Sequence, residues 1–185
     1  TYTALNKILG QKITYYNLLE KNGWQPDFDK LEQMDLSHVK LMWTNYPNMP
    51  TGGDARMDTY ERLVAFGKAH NIIIVNDNPY SLILNEHPKS ILQVPGAKDC
   101  CIEFNSMSKS HNMPGWRVAM AVSNPTFISW ILKIKSNVDN GTFKGIQLAA
   151  AEAFNTNTTE WHYQNNIENY HRRRNIAEQI MTALG

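Results

Sequence analysis

Short apolar runs along the chain alternate with stretches whose apolar residues recur at helical spacing, which is the signature of a parallel α/β sheet. The runs predict strands at Lys12 to Asn17, Val39 to Thr44, Ile72 to Asn76, Cys101 to Asn105 and Val118 to Val122. Ile72-Ile73-Ile74-Val75 has no polar alternation, as expected of a strand covered on both faces. Between the strands, Asp58 to His70 carries Leu63, Val64 and Phe66 at helical spacing, with Asp54 as the expected N-cap. Asn124-Pro125 opens another helix to about Ser136, because a capping asparagine precedes a proline whose fixed φ suits the first helical position. The Asn140-Gly141 turn ends it, Gly145 to Phe154 reads as a small-residue helix, and Thr159 to Leu184 as a long one. Trp130 and Trp161 are expected to pack. The fold class expected is a three-layer, mostly parallel sheet with helices on both faces.

Composition narrows the function classes. Across 185 residues, 42% are apolar and the net charge is +1, which describes an ordinary globular domain with no affinity for nucleic acid or membrane written into its charge. The basic run His171-Arg172-Arg173-Arg174 falls in a helical pattern and reads as a solvated face. No apolar stretch reaches the roughly 20 residues a membrane helix needs, and no signal-peptide pattern is present. Cys100 and Cys101 are adjacent with no third partner, so they make neither a disulfide framework nor a metal site, and a reducing cytoplasm is the expected setting. His38, His70, His87, His111, His162 and His171 show no ligand spacing, so no metal is expected.

The chemistry lies where three strands end. The first delivers Asn45-Tyr46-Pro47-Asn48-Met49-Pro50-Thr51-Gly52, a turn made rigid by its prolines and glycine. The second delivers Asp77-Asn78-Pro79-Tyr80, and the third Ser106-Met107-Ser108-Lys109 with Arg117 eight residues beyond the lysine. Open α/β sheets hold ligands at the carboxyl ends of their strands. Serine hydroxyls donate to phosphate oxygens, a guanidinium binds them bidentately, and an amine on the same loop can form a Schiff base with a carbonyl carried by that phosphate compound. A phosphorylated aldehyde meets all three demands. A surface Ser-Lys loop, or a binding module in which Lys109 is only a phosphate ligand, remains the alternative on these residues alone.

In this order the three segments resemble the class I/II aminotransferases of the fold-type I pyridoxal-phosphate family. That family carries an Asn-Pro-Thr-Gly turn, an Asp-x-x-Tyr, and a Ser-x-Ser-Lys with arginine eight residues on. The resemblance covers essentially the whole chain. It implies pyridoxal phosphate as cofactor, with Lys109 forming the Schiff base, Asp77 pairing with the pyridinium nitrogen and Tyr80 bonding the ring oxygen. Ser106, Ser108 and Arg117 would hold the phosphate. One position departs: Met49 stands where the family has the asparagine that bonds the ring oxygen, and the amide sits one residue earlier, at Asn48. A thioether is a weak acceptor and no donor. The resemblance further implies a homodimer acting on amino acids and 2-oxo acids. It also implies that residues 1–185 are a partial cofactor-binding large domain, without its N-terminal part or the small domain. C–S lyase and decarboxylase chemistry use the same scaffold.

Overall fold

The computed structural model describes residues 2–155, 160, 164 and 167–185. Trp161, His162 and the start of the helix predicted from Thr159 lie outside them. The chain divides into two compact units, Thr1–His38 and Val39–Gly185.

In the first unit, α1 (Tyr2–Ile8) and α2 (Phe28–Glu32) are short. Asp27 caps α2, its carboxylate accepting from the Lys30 amide at 3.3 Å. The strand predicted at Lys12 to Asn17 does not form. The segment is irregular and largely exposed, and only an isolated antiparallel bridge, Leu18 to Pro26, follows it. A strand is stable only where a neighbour accepts its ladder, and no strand of the described residues pairs with this segment.

The second unit is built on β1 (Leu41–Asn45), β2 (Ile73–Asp77), β3 (Cys101–Ser106) and β4 (Ala119–Val122), lying in that order. β1–β2 and β2–β3 are parallel, and β3–β4 is antiparallel, so the sheet is a mixed α/β sheet. The first three strands run one residue further than the apolar runs predict, because the polar residues Asn45, Asp77 and Ser106 continue the ladder.

A parallel pair needs a crossover, and α3 (Met57–His70) supplies it between β1 and β2. It buries Tyr60, Leu63, Val64 and Phe66, and each aliphatic or aromatic side chain so removed from water contributes about 1.5–3 kcal/mol. Gly67 is required where α3 meets the chain returning to β2, since a Cβ there would stand 2.8 Å from the Ile72 carbonyl oxygen. Asp54 is not the cap of this helix. Arg56 occupies that position without a side-chain capping bond, and the Asp54 carboxylate instead pairs with Lys89 at 2.7 Å. The helix begins three residues past Asp54.

α5 (Pro125–Val138) starts as expected, the Asn124 side chain accepting from the Phe127 amide at 2.9 Å. α4 (Met107–Ser110) lies in the β3–β4 connection, and α6 (Lys144–Ala153) and α7 (Glu168–Leu184) follow α5. Arg172, Arg173 and Arg174 are exposed on α7, where Arg174 pairs with Glu178 at 3.5 Å. Trp130, expected to pack, is 53% exposed and only tilts against Phe127. Among the described residues no helix is long and apolar enough to cross a membrane, and no three histidine, cysteine, aspartate or glutamate side chains gather as a metal site.

Candidate active site

Side chains alternate across a strand, so parallel register fixes which residues share a face. Asn45 pairs with Asp77, and Asp77 with Phe104, which puts these three and Ser106 on one face at the carboxyl ends of β1, β2 and β3. The Asn45 amide donates to the Asp77 carbonyl at 2.8 Å, and its oxygen accepts from the Met49 amide at 2.8 Å. One asparagine thus ties the proline turn to the end of β2.

Within that turn the Asn48 side-chain oxygen accepts from the Thr51 hydroxyl at 2.8 Å, while its backbone bonds Gly52 and Gly53. The oxygen of Asn48 therefore serves its own loop. Met49 is 65% exposed.

The antiparallel β3–β4 pairing explains why Lys109 and Arg117 come from one loop. The chain leaves the sheet at Ser106 and returns beside it at Ala119, its register partner. The Met107 amide donates to the Val118 carbonyl at 3.2 Å, carrying the pairing one step further. Ser106 caps α4: its oxygen accepts from the Ser108 amide at 3.2 Å, and its hydroxyl donates to the Ser108 hydroxyl at 3.0 Å. Lys109 follows, exposed. Arg117 is held at φ 54°, a left-handed conformation unusual for a residue with a Cβ, and its guanidinium donates to the Pro114 carbonyl at 3.0 Å.

The loop after Asp77 is anchored through Asn78. Its amide donates to the Phe104 carbonyl at 2.8 Å, and its carbonyl accepts from the Asn105 side chain at 2.8 Å. Its side chain accepts from the Ser81 amide and donates to the Lys89 carbonyl at 3.2 Å. On the opposite face of the sheet lies a buried polar chain. Thr44 donates to the Asn76 oxygen at 2.9 Å, and Asn76 donates to Glu103 at 2.9 Å and to the Tyr60 hydroxyl at 3.3 Å. Burial, with the Glu103 charge second, raises the Tyr60 pKa well above its ordinary value. Sequence reasoning missed Asn45, Asn76, Asn78, Glu103 and Asn105; the polar interruptions at the ends of apolar runs were the available signal.

His111, beside Lys109 in sequence, packs rather than reaching outward. Its Nδ1 lies 2.8 Å from the Ser110 hydroxyl, and its ring meets Phe154 edge-on at 4.8 Å. Burial holds its pKa below the ordinary histidine value. Cys100 and Cys101 are free, buried thiols, and burial pushes both pKa values up.

The donor set fits pyridoxal phosphate. A carboxylate and a phenol leave the end of β2, while two hydroxyls, an amine and a guanidinium border the loop that leaves β3 and returns as β4, the strand next to it. The sequence profile of "Aminotransferase class I and II" matches residues 1–185. The chain is 42% identical over 170 residues to LL-diaminopimelate aminotransferase 2 of Trichormus variabilis, covering 91% of this chain and 43% of that protein. It is 38% identical over 186 residues to LL-diaminopimelate aminotransferase of Dehalococcoides mccartyi, covering 100% and 47%. Among solved structures, an aspartate aminotransferase mutant of Thermus thermophilus superposes with a TM-score of 0.90 at 25% identity, over 100% of this chain and 48% of that one. Substrate-bound BacF of Bacillus subtilis gives 0.79 at 36%, over 86% and 41%. The chain thus spans about half the length of the relatives it matches. With the strand-end residues and the whole-length match in agreement, the chain belongs to the class I and II aminotransferase family, whose members depend on pyridoxal phosphate.

Proposed function

We propose that this chain is the cofactor-holding half of an aminotransferase that moves an amino group from an amino acid to a 2-oxo acid. The observation that carries this reading is the β3–β4 register: Ser106 opposite Ala119 brings Ser108, Lys109 and Arg117 to one loop, beside the β2 end that bears Asp77 and Tyr80. In this reading residues 1–185 are part of the large domain, and the rest of that domain and a small domain belong to the whole enzyme, a cytoplasmic homodimer. The names of the relatives support LL-diaminopimelate as the first amino donor to test.

Bound pyridoxal phosphate supplies an electron sink that acidifies the substrate Cα–H. With pyridoxal phosphate bound, the Lys109 amine would hold the cofactor aldehyde and, when free, would be the base that takes the substrate Cα proton. The Asp77 carboxylate keeps a proton on the pyridine nitrogen, because an adjacent negative charge favours the cationic ring. Tyr80 donates its hydroxyl to the ring oxygen. Ser106, Ser108 and Arg117 bind the phosphate, and Asn48 is a further candidate contact through its NH2 group.

Borohydride reduction of the full-length protein loaded with pyridoxal phosphate, then digestion and mass spectrometry, tests the assignment. The cofactor mass belongs on the peptide carrying Lys109; finding it on another lysine, or on none, overturns the reading.

A further inference from the structure

The Glu103 carboxylate is buried on the sheet face opposite Asp77, and it has no place in the chemistry above. Its Oε2 accepts two bonds, from the Asn76 side chain at 2.9 Å and from the Ile91 amide at 3.1 Å. The first donor sits on β2 one residue before Asp77. The second lies where the Tyr80-bearing loop comes back to the sheet. Ile91 is fully buried and begins a turn closed at both ends, with Ser90 accepting from the Leu92 amide and the Gln93 side chain accepting from the Ser90 amide. At the same neck Asn78 donates to the Lys89 carbonyl, and the Lys89 amine pairs with Asp54. Residues 79–90 therefore form a loop whose two ends are pinned together and to β3.

β3 is the strand that leads to Lys109. Charge-assisted bonds to a buried carboxylate are among the stronger ones, and breaking them strands two buried N–H donors. We propose that Glu103 is a positioning residue: it locks the return of the Tyr80 loop to the strand that presents Lys109, and so sets where the Tyr80 hydroxyl stands. The inference rests on the pyridoxal-phosphate reading above.

The test uses the full-length protein and the pH midpoint of the visible absorbance of the bound cofactor, which responds to a hydrogen bond at the ring oxygen whatever the turnover. Tyr80→Phe is expected to move that midpoint by about one pH unit. Glu103→Leu is expected to move it in the same direction, Glu103→Gln, which keeps an oxygen acceptor in place, to restore most of the wild-type value, and Glu103→Leu/Tyr80→Phe to move it no further than Tyr80→Phe alone. Leu63→Ala, a buried change on α3 outside the network, serves as the stability control and lowers Tm with an unmoved midpoint. Should Glu103→Leu not fold, Asn78→Ser, which opens the same neck at Lys89, is measured in its place. A lowered Tm with a wild-type midpoint, or a shift that adds to that of Tyr80→Phe, overturns the proposal. A wild-type protein that shows no visible band with pyridoxal phosphate sinks the cofactor reading and this inference with it, whereas a normal wild-type band with an unmoved variant sinks the inference alone.

Discussion

Met107 donates its backbone amide to the carbonyl of Val118 at 3.2 Å, one step past the last paired residues of β3 and β4. That bond closes the neck of the loop that carries both Lys109 and Arg117. The eight-residue spacing between them is the length this loop needs to leave β3, turn through α4 and Pro114, and re-enter beside its own exit. Antiparallel pairing at one edge of an otherwise parallel sheet makes the return possible.

Arg117 separates two effects that most site residues confound. Its left-handed backbone costs about 1–2 kcal/mol relative to glycine, and glycine loses about as much through the freedom of the unfolded chain. Arg117→Gly should therefore leave the stability of the cofactor-free protein within about 1 kcal/mol. Cofactor affinity should fall by about tenfold to a hundredfold, the loss of a charge-assisted pair to phosphate. Chemical denaturation and equilibrium dialysis with pyridoxal phosphate read the two numbers. Unchanged affinity would remove Arg117 from the phosphate site.

Asp77→Asn removes the carboxylate charge and keeps the Asn45 bond, which goes to the Asp77 backbone carbonyl. Turnover of the full-length enzyme should fall by at least about a hundredfold while the cofactor stays bound. Stopped-flow half-reactions and the visible spectrum check this, and near-normal kcat would mean that another group serves the ring nitrogen.

The strand ends that carry the proposed site residues were legible because apolar runs mark them and those residue types carry their own chemistry. Lys109, Asp77, Tyr80, Ser106, Ser108 and Arg117 stand at strand ends that apolar runs reveal. The supporting asparagines were not legible. Asn45 and Asn78 look in sequence like turn residues and Asn76 and Asn105 like the polar ends of strands, and their partners lie 27 or 32 residues away, matched only by strand register. The Lys12 to Asn17 segment failed for the converse reason, since an extended pattern specifies a strand only when a neighbour is there to pair with it. Asp54 looked like a cap because sequence shows that it precedes a helix but not that Lys89 lies across from it.

His111 gives a pH dependence of known sign. Its folded pKa lies below the unfolded value of about 6.5, so the unfolded state takes up the proton first as pH falls. The stability it contributes is complete above that value and is lost as pH falls through it toward the folded pKa. Wild-type Tm should drop between pH 7.5 and 5.5 by more than that of His111→Phe, which keeps a ring against Phe154 and cannot titrate. Equal drops would show that His111 contributes nothing to the acid sensitivity.

The last prediction concerns the 185-residue chain by itself. Its helical surface is apolar in places where a solvated protein is polar: Ile134, Val138 and Phe143 on and after α5, Leu148 on α6, and Ile180 and Leu184 on α7 are all largely exposed, Val138 by 77% and Leu184 by 78%. Met120 and Val122 are exposed on β4, the last strand of the sheet, which invites pairing with another chain. Exposed apolar side chains in this number favour association unless something covers them. The purified chain, which spans about half the length of its relatives, is therefore expected to self-associate at micromolar concentration and to make no keto acid above a Lys109→Ala control. Light scattering and a coupled keto-acid assay measure both outcomes. A monodisperse monomer over a wide concentration range would show these faces to be tolerated in water, and steady turnover would mean that the strand-end residues suffice without the remaining length.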